Sequence, residues 1–319
     1  MLSTGVCGSG KGRAERRLPD QRTDSGYPEY AIEAEGLSMS FGDVKAVDGI
    51  DLKVARGELF GLLGPNGAGK TTTIRMLTTL LHPDSGRIKV EGMDASSQVY
   101  GIRGRIGVVQ QHISLDKDIS VRENLMHHAK LHKVPRPERA PRMDGIISLL
   151  GLEPYLGKLV SDLSGGWKKR TAIACSLIHA PSVLFLDEPT TGLDTQSRHL
   201  LWDIIQDLNR EGTTIILTTH YMEEAEALCD RVALISRGRI VADDTPRNLC
   251  AGLGNIAVIH ASAAGRDYRF FDTRTEAKAF ADTLGAEEDS VSIRKTRLED
   301  VFLEMTGRMA GTGPGGPAE

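Results

Sequence analysis

One stretch constrains this chain more than any other: an apolar run, a glycine-rich loop and the start of a helix, in immediate succession. Phe60-Gly61-Leu62-Leu63 has strand character, and Ile74, Leu77 and Leu81 fall at i, i+3 and i+7, which gives the segment after the loop a buried helical face. Between them lies the spacing Gly64-x4-Gly69-Lys70-Thr71, which predicts a phosphate cradle. Glycines let the main chain wrap an anion with no Cβ in the way, and the helix opening at Thr71 aims unpaired N–H groups and its dipole at the same charge. In such a P-loop the lysine reaches the β and γ oxygens and the hydroxyl ligates Mg²⁺. The candidate nucleotide-binding residues here are Gly64, Pro65, Asn66, Gly67, Ala68, Gly69, Lys70, Thr71 and Thr72. An upstream copy of the spacing, Gly5-x4-Gly10-Lys11, is rejected because Gly12 follows it and no apolar strand precedes it.

The 319 residues suffice for one large or two smaller domains, and 40% hydrophobic with 26% charged content is ordinary for a globular protein. With 39 Lys and Arg against 43 Asp and Glu the net charge is −4, so no global basic field argues for nucleic acid, and no nucleic-acid partner is expected. Cys7, Cys175, Cys229 and Cys250 are scattered without CxxC spacing, which disfavours a zinc site or disulfide framework and fits a reducing cytoplasm. Apolar runs such as 183–186 and 215–217 are far shorter than a bilayer requires, so any membrane role falls to a partner.

Taken in order, residues 1–28 are poor in large apolar groups and predict a disordered tail, because they cannot bury enough surface to offset ordering entropy. Alternating segments at 31–54 and 87–90, the latter after the turn-rich His82-Pro83-Asp84-Ser85-Gly86, predict an antiparallel layer. From about 111 to 178 the texture is helical, clearest at 121–125 and 143–150, with prolines 135, 137, 141 and 154 between the helices. Strands at 183–186, 214–217 and 232–235 then alternate with helices around 197–209 and 222–229, which implies a mostly parallel sheet. The expected architecture is an α/β P-loop NTPase core over 29–245, with an antiparallel β layer and a helical subdomain at about 111–178. A small α+β extension follows over 246–306, closed by the helical spacing Leu298, Val301, Phe302 and Met305, and 307–319 reads as a flexible end.

Two further stretches carry chemistry. Val183-Leu184-Phe185-Leu186 runs into Asp187-Glu188, and α/β folds bind ligands at such strand ends. Beside a P-loop, Asp187 is placed to hold Mg²⁺ and Glu188 to polarise an attacking water. Leu163-Ser164-Gly165-Gly166 precedes an apparent helix and reads either as a second anion-binding helix start or as a plain N-cap.

In this order, over residues 31 to about 245, the motifs resemble the nucleotide-binding subunit of an ATP-binding cassette (ABC) transporter. The resemblance implies that the signature Leu163 to Gly166, with Ser164, Gly165 and Gly166 as its contacts, faces the γ-phosphate held by the P-loop of a second subunit. Two ATP molecules are then sandwiched between two cassettes. It implies that Gln111, in Val108-Val109-Gln110-Gln111, approaches Mg²⁺ and the attacking water. Gln111 is preferred to Gln110 because the pattern continues through Ser114-Leu115-Asp116 to Val121-Arg122-Glu123-Asn124-Leu125 in that register. His220, after Thr218-Thr219, matches the switch histidine that contacts the γ-phosphate; Asp194, in Gly192-Leu193-Asp194, matches the D-loop that crosses the dimer interface; Phe41 matches the adenine-stacking aromatic. The implied site has Glu188, His220 and Gln111 in catalysis, Thr71, Gln111 and Asp187 as metal ligands, and ATP and Mg²⁺ as cofactors.

Two positions depart from the family pattern. Phe41 stands for a frequent tyrosine and keeps the stacking face. Trp167 replaces the glutamine common after the signature, and its indole either changes a contact there or packs within the helical subdomain. Lys168, Lys169 and Arg170 read as a solvated basic face, with contact to nucleotide or a partner as the alternative. His128 and His132, four apart on a helix, lack a third ligand, and no metal site is assigned to them. Trp167-Lys168-Lys169-Arg170, His220-Tyr221-Met222-Glu223-Glu224-Ala225-Glu226 and Leu298-Glu299-Asp300-Val301-Phe302-Leu303 resemble the daunorubicin-resistance-type drug-export branch. That branch implies a homodimer of cassettes at the cytoplasmic face of the plasma membrane, driving a separate transmembrane permease that exports a drug-like or other small hydrophobic compound. The competing reading is a soluble ABC-type ATPase switch without a membrane subunit.

Overall fold

The computed structural model describes residues 29–112, 114–262, 265–284 and 290–306; the tails expected at 1–28 and 307–319 lie outside the described residues. The elements in order are β1 (Tyr30–Phe41), β2 (Val44–Ala55), β3 (Leu59–Leu63), α1 (Lys70–Leu77), β4 (Ser85–Val90), β5 (Met93–Asp94), α2 (Val99–Arg103), β6 (Ile106–Val109), α3 (Val121–Leu131), α4 (Arg136–Leu150), α5 (Gly165–Leu177) and β7 (Val183–Asp187). There follow α6 (Thr195–Arg210), β8 (Thr214–Thr219), α7 (Met222–Leu228), β9 (Arg231–Ser236), β10 (Arg239–Asp244), α8 (Pro246–Leu253), β11 (Ile256–Ser262), β12 (Gly265–Phe271), α9 (Arg274–Thr283), β13 (Val291–Lys295) and α10 (Leu298–Met305).

Six strands form the central sheet in the order β10-β9-β3-β8-β7-β6, all parallel except the edge strand β10, which returns antiparallel from β9. Its inner strands are continuous apolar runs because both faces are covered. Phe60, Leu62, Phe185 and Ile216 enter a core shared with α1 and a second, antiparallel sheet of order β2-β1-β4-β5. Leu59, Leu63, Leu184, Leu186 and Leu217 enter a core shared with α3 to α7. Each such side chain contributes on the order of 2 kcal/mol on burial. A one-residue slip of any strand exchanges the two sets, so the alternation fixes the register.

The helices between β6 and β7 start where sequence chemistry dictates. Ser120 and Glu123 form a reciprocal capping box at α3, with Glu123 N–H donating to Ser120 Oγ at 3.2 Å and Ser120 N–H to Glu123 Oε2 at 2.8 Å. The prolines do not all separate helices as expected: Pro137 and Pro141 lie within α4. Pro137 occupies the first turn, where its missing N–H has no intrahelical partner to lose. Pro141 does sacrifice a bond, against which α4 buries Met143, Ile147 and Leu150.

After β10 the chain forms α8 and then a small sheet of order β12-β11-β13, with α9 beside it. The closing helix α10 packs back on the main body, with Leu298, Val301 and Phe302 in the core that holds α5 to α7. Leu298 N–H donates to Glu226 Oε1 at 2.5 Å, and Arg294 grips Asp300 with two bonds of 2.6 and 2.7 Å.

Candidate active site

Strand order assembles the site. β3, β8, β7 and β6 are neighbours, and at or just past their carboxyl ends come Gly64, His220, the pair Asp187-Glu188 and Gln111 respectively. The loop after β3 needs glycine for space as well as backbone freedom. A Cβ on Gly64 would stand 2.3 Å from the Ile235 carbonyl oxygen, and one on Gly69, whose φ is +110°, 2.4 Å from that of Ala46. Gly69 also caps α1 with no side chain over the first-turn N–H groups, which leaves them for an anion.

Lys70 is only 4% exposed, and its Nζ donates to the carbonyls of Gly64 at 2.8 Å and Pro65 at 3.1 Å. The same ammonium lies 3.4 Å from Glu188 Oε1. Asp187 accepts from Thr218 Oγ1 at 2.6 Å and from Thr71 Oγ1 at 3.3 Å. A hydroxyl and a carboxylate side by side are hard oxygen donors of the kind Mg²⁺ takes. Gln111 spends its Nε2 on Glu188 at 3.0 Å, which leaves its amide oxygen as a third such donor. The residues present therefore fit the metal.

Glu188 has φ +47°, a left-handed backbone that costs a non-glycine residue about 1–2 kcal/mol. Its N–H holds that turn by bonding the carbonyl and the hydroxyl of Thr218, both at 3.1 Å. Its carboxylate also accepts from Thr191 Oγ1 at 3.2 Å and stands 3.3 Å from His220 Nδ1. Burial pushes this carboxyl up, but Lys70 and then His220 outweigh it and hold it below the usual carboxylate range. Lys70, Gln111, Glu188 and His220, from four separate segments, thus surround one another.

The signature stands apart. Ser164 caps α5 in extended backbone, its hydroxyl makes no cap bond, and Ser164 and Gly165 are exposed. A Cβ on Gly166 would come 3.2 Å from Ser197 Oγ, in the first turn of α6. Asp194 caps that helix, accepting from Ser197 N–H at 2.9 Å and Ser197 Oγ at 2.7 Å, so signature and D-loop share a corner of the molecule. Phe41 is 53% exposed at the end of β1, on the hairpin whose Ala46 carbonyl borders Gly69.

Of the two readings of Trp167, the structure takes the internal one. Its ring packs on Tyr155 at 4.1 Å, and the Arg170 guanidinium lies 4.5 Å from its centroid. The solvated basic face is corrected at Lys169, which is 4% exposed with its Nζ bonded to the Gln111 carbonyl at 3.1 Å. The signal was the i, i+4 spacing from Lys169 to the fully buried Ile173, which puts the lysine on the inner side of α5. Sequence reasoning also passed over Thr218 and Thr191. Thr218 is paired with Asp187 in the β7–β8 register, a relation visible only once the strand order is known.

His132 stacks on His179 at 3.9 Å, and His179 Nε2 bonds the Ile106 carbonyl at 2.9 Å. With His128, Gln110 and Cys175 these rings line a cavity of about 320 Å³. Burial, followed by the charge on His132, pushes His179 down to about 4.

Residues 47–191 match the ABC transporter family. The chain is 39% identical over 305 residues to the daunorubicin resistance ATP-binding protein DrrA3 of Streptomyces coeruleorubidus, covering 88% of this chain and 96% of that one. It is 40% identical over 299 residues to Nod factor export ATP-binding protein I of Paraburkholderia xenovorans, covering 88% and 98%. Among solved structures, cbiO1 from Clostridium perfringens, part of the ABC transporter complex cbiONQ, superposes with a TM-score of 0.65 at 33% identity, covering 70% of this chain and 92% of that one. With a phosphate-binding loop, a buried carboxylate and relatives matched over nearly their whole length, the chain belongs to the ABC transporter family and is one of its ATP-binding, ATP-hydrolysing subunits.

Proposed function

We propose that this subunit powers export of a drug-like or other small hydrophobic compound through a separate transmembrane permease, as a cassette homodimer at the cytoplasmic face of the plasma membrane. The observation that carries the catalytic part is the convergence of Lys70, Gln111 and His220 on the buried carboxylate of Glu188. Export is supported by the relatives, one named for daunorubicin resistance and one for Nod factor export. No helix among the described residues is long and apolar enough to cross a bilayer, which supports assigning the translocation path to a separate membrane partner.

In the proposed division of labour, residues 29–245 bind and hydrolyse ATP and 246–306 form an accessory domain. The loop from Gly64 to Thr72 and the Lys70 ammonium bind the triphosphate, and Phe41 stacks on the base. Thr71, Asp187 and Gln111 would hold Mg²⁺, which when bound neutralises charge on the phosphate oxygens. Glu188 accepts the proton of the attacking water, while Gln111 and His220 orient the water and the γ-phosphate. Ser164, Gly165, Gly166 and Asp194 of one subunit complete the site of the other, so ATP binding closes the dimer and hydrolysis reopens it. The test is affinity capture of the tagged chain from detergent-solubilised membranes, together with efflux of a fluorescent anthracycline. A stoichiometric polytopic partner and efflux abolished by Glu188→Gln are expected; capture of the chain alone, with efflux unaffected, overturns the proposal.

A further inference from the structure

Lys169 lies outside every role assigned above. It sits in the second turn of α5, five residues after Ser164, with its ammonium taken out of water and no ion pair among the described residues. Its Nζ instead donates to the backbone carbonyl of Gln111, across 58 residues of sequence. Burial pushes the ammonium down, and the negative charge of Asp187, Glu188 and Glu224 works against that push. A buried ammonium is costly, and packing beside Ile173 alone would be served as well by a methionine. The charge is therefore spent on holding Gln111.

Gln111 is gripped from two sides, by Lys169 at its carbonyl and through its own Nε2 by the catalytic carboxylate at 3.0 Å. Glu188, Gln111, Lys169 and the N-terminus of α5 form one connected chain, whose far end is Ser164, exposed and with a hydroxyl that makes no cap bond. We infer that Lys169 is a positioning residue coupling the two ATP sites of a dimer: it carries displacement of Glu188 and Gln111 in a subunit's own site to the signature that this subunit presents to the other site. The coupling is reciprocal, so signature engagement also biases Gln111 toward its bonded position. It rests on the composite two-site dimer proposed above.

The experiment measures steady-state ATP hydrolysis by the full-length chain against ATP concentration, for wild type, Lys169→Met and Lys169→Arg. Thermal unfolding and binding of a fluorescent ATP analogue are followed alongside. Wild type should rise sigmoidally with a Hill coefficient approaching about 2. In Lys169→Met the coefficient should fall to about 1 and kcat by about tenfold, with nucleotide affinity within about twofold of wild type. Lys169→Arg keeps charge and donor and should recover most of the cooperativity. Wild-type cooperativity and kcat in Lys169→Met, or an arginine variant as impaired as the methionine one, overturns the inference. Hyperbolic kinetics in the wild type overturn the inference, whereas a chain that stays monomeric with ATP bound overturns the two-site dimer on which it rests. Should Lys169→Met fail to fold, Lys169→Gln gives the same readout.

Discussion

Gly69 and Ser164 each cap a helix, α1 and α5, whose first-turn N–H groups have no side-chain partner. Both helix starts are suited to an anion by the same dipole and unpaired amides. At the first, the surrounding chain has closed in: Lys70 is buried against Gly64, Pro65 and Glu188, and Gly64 and Gly69 are pressed against Ile235 and Ala46. At the second, Ser164 and Gly165 remain exposed and the serine hydroxyl makes no cap bond. The difference separates a site whose geometry is preorganised within one chain from an exposed helix start that the proposed dimer sets against a second subunit.

The largest effect should come from the closed side. Glu188→Gln removes the proposed proton acceptor while keeping size and hydrogen-bonding capacity. ATP turnover, followed as phosphate release, should fall about 10³-fold with nucleotide still bound; a loss below about tenfold breaks the assignment of chemistry to this carboxylate.

The sharper comparison sets Lys70→Ala against Ser164→Ala. Loss of the buried ammonium should weaken nucleotide binding by about 100-fold in calorimetry. Loss of the exposed hydroxyl should leave monomer affinity and stability almost untouched, within about 0.5 kcal/mol, and lower turnover about tenfold. A Ser164→Ala variant that loses nucleotide affinity as Lys70→Ala does would place the signature in its own chain's site and erase the contrast.

The smallest effect lies beyond the other end of α5, where His179 bonds the Ile106 carbonyl. Because the fold lowers this imidazole from 6.5 to about 4, acid protonates the unfolded chain first. Its contribution to stability is intact above pH 6.5 and drains as pH falls toward about 4. His179→Gln offers a donor for the same carbonyl and should remove the drain, worth about 1 kcal/mol near pH 5 in denaturant titrations once partial exposure is allowed for. Equal acid slopes in both proteins would show that this anchor does not titrate as described.

Much of the closed site was legible because its chemistry is local. Strand, glycines, lysine and hydroxyl follow one another from Phe60 to Thr71, and an apolar run delivers Asp187 and Glu188 to a strand end. Trp167 and Lys169 were not legible in the same way, since a residue's side on a helix has meaning only when its neighbours are known. Tyr155 claims the indole, and the face shared with Ile173 takes the lysine inward. Pro141 inside α4 likewise reverses a local preference that tertiary burial overrides.

The sequence by itself determined the chemical vocabulary of this protein: a phosphate loop, two acids at a strand end, a second helix start and a histidine after a threonine pair. Spacing along a strand, turn or helix sets those features, and spacing is written in the chain. Only the tertiary structure decided who meets whom. Thr71 reaches Asp187 across 116 residues, Gln111 reaches Glu188 across 77 and Lys169 reaches Gln111 across 58. Those meetings follow from the order β3-β8-β7-β6 and from which face of α5 is buried, and both are set by the packing of two cores on opposite sides of one sheet.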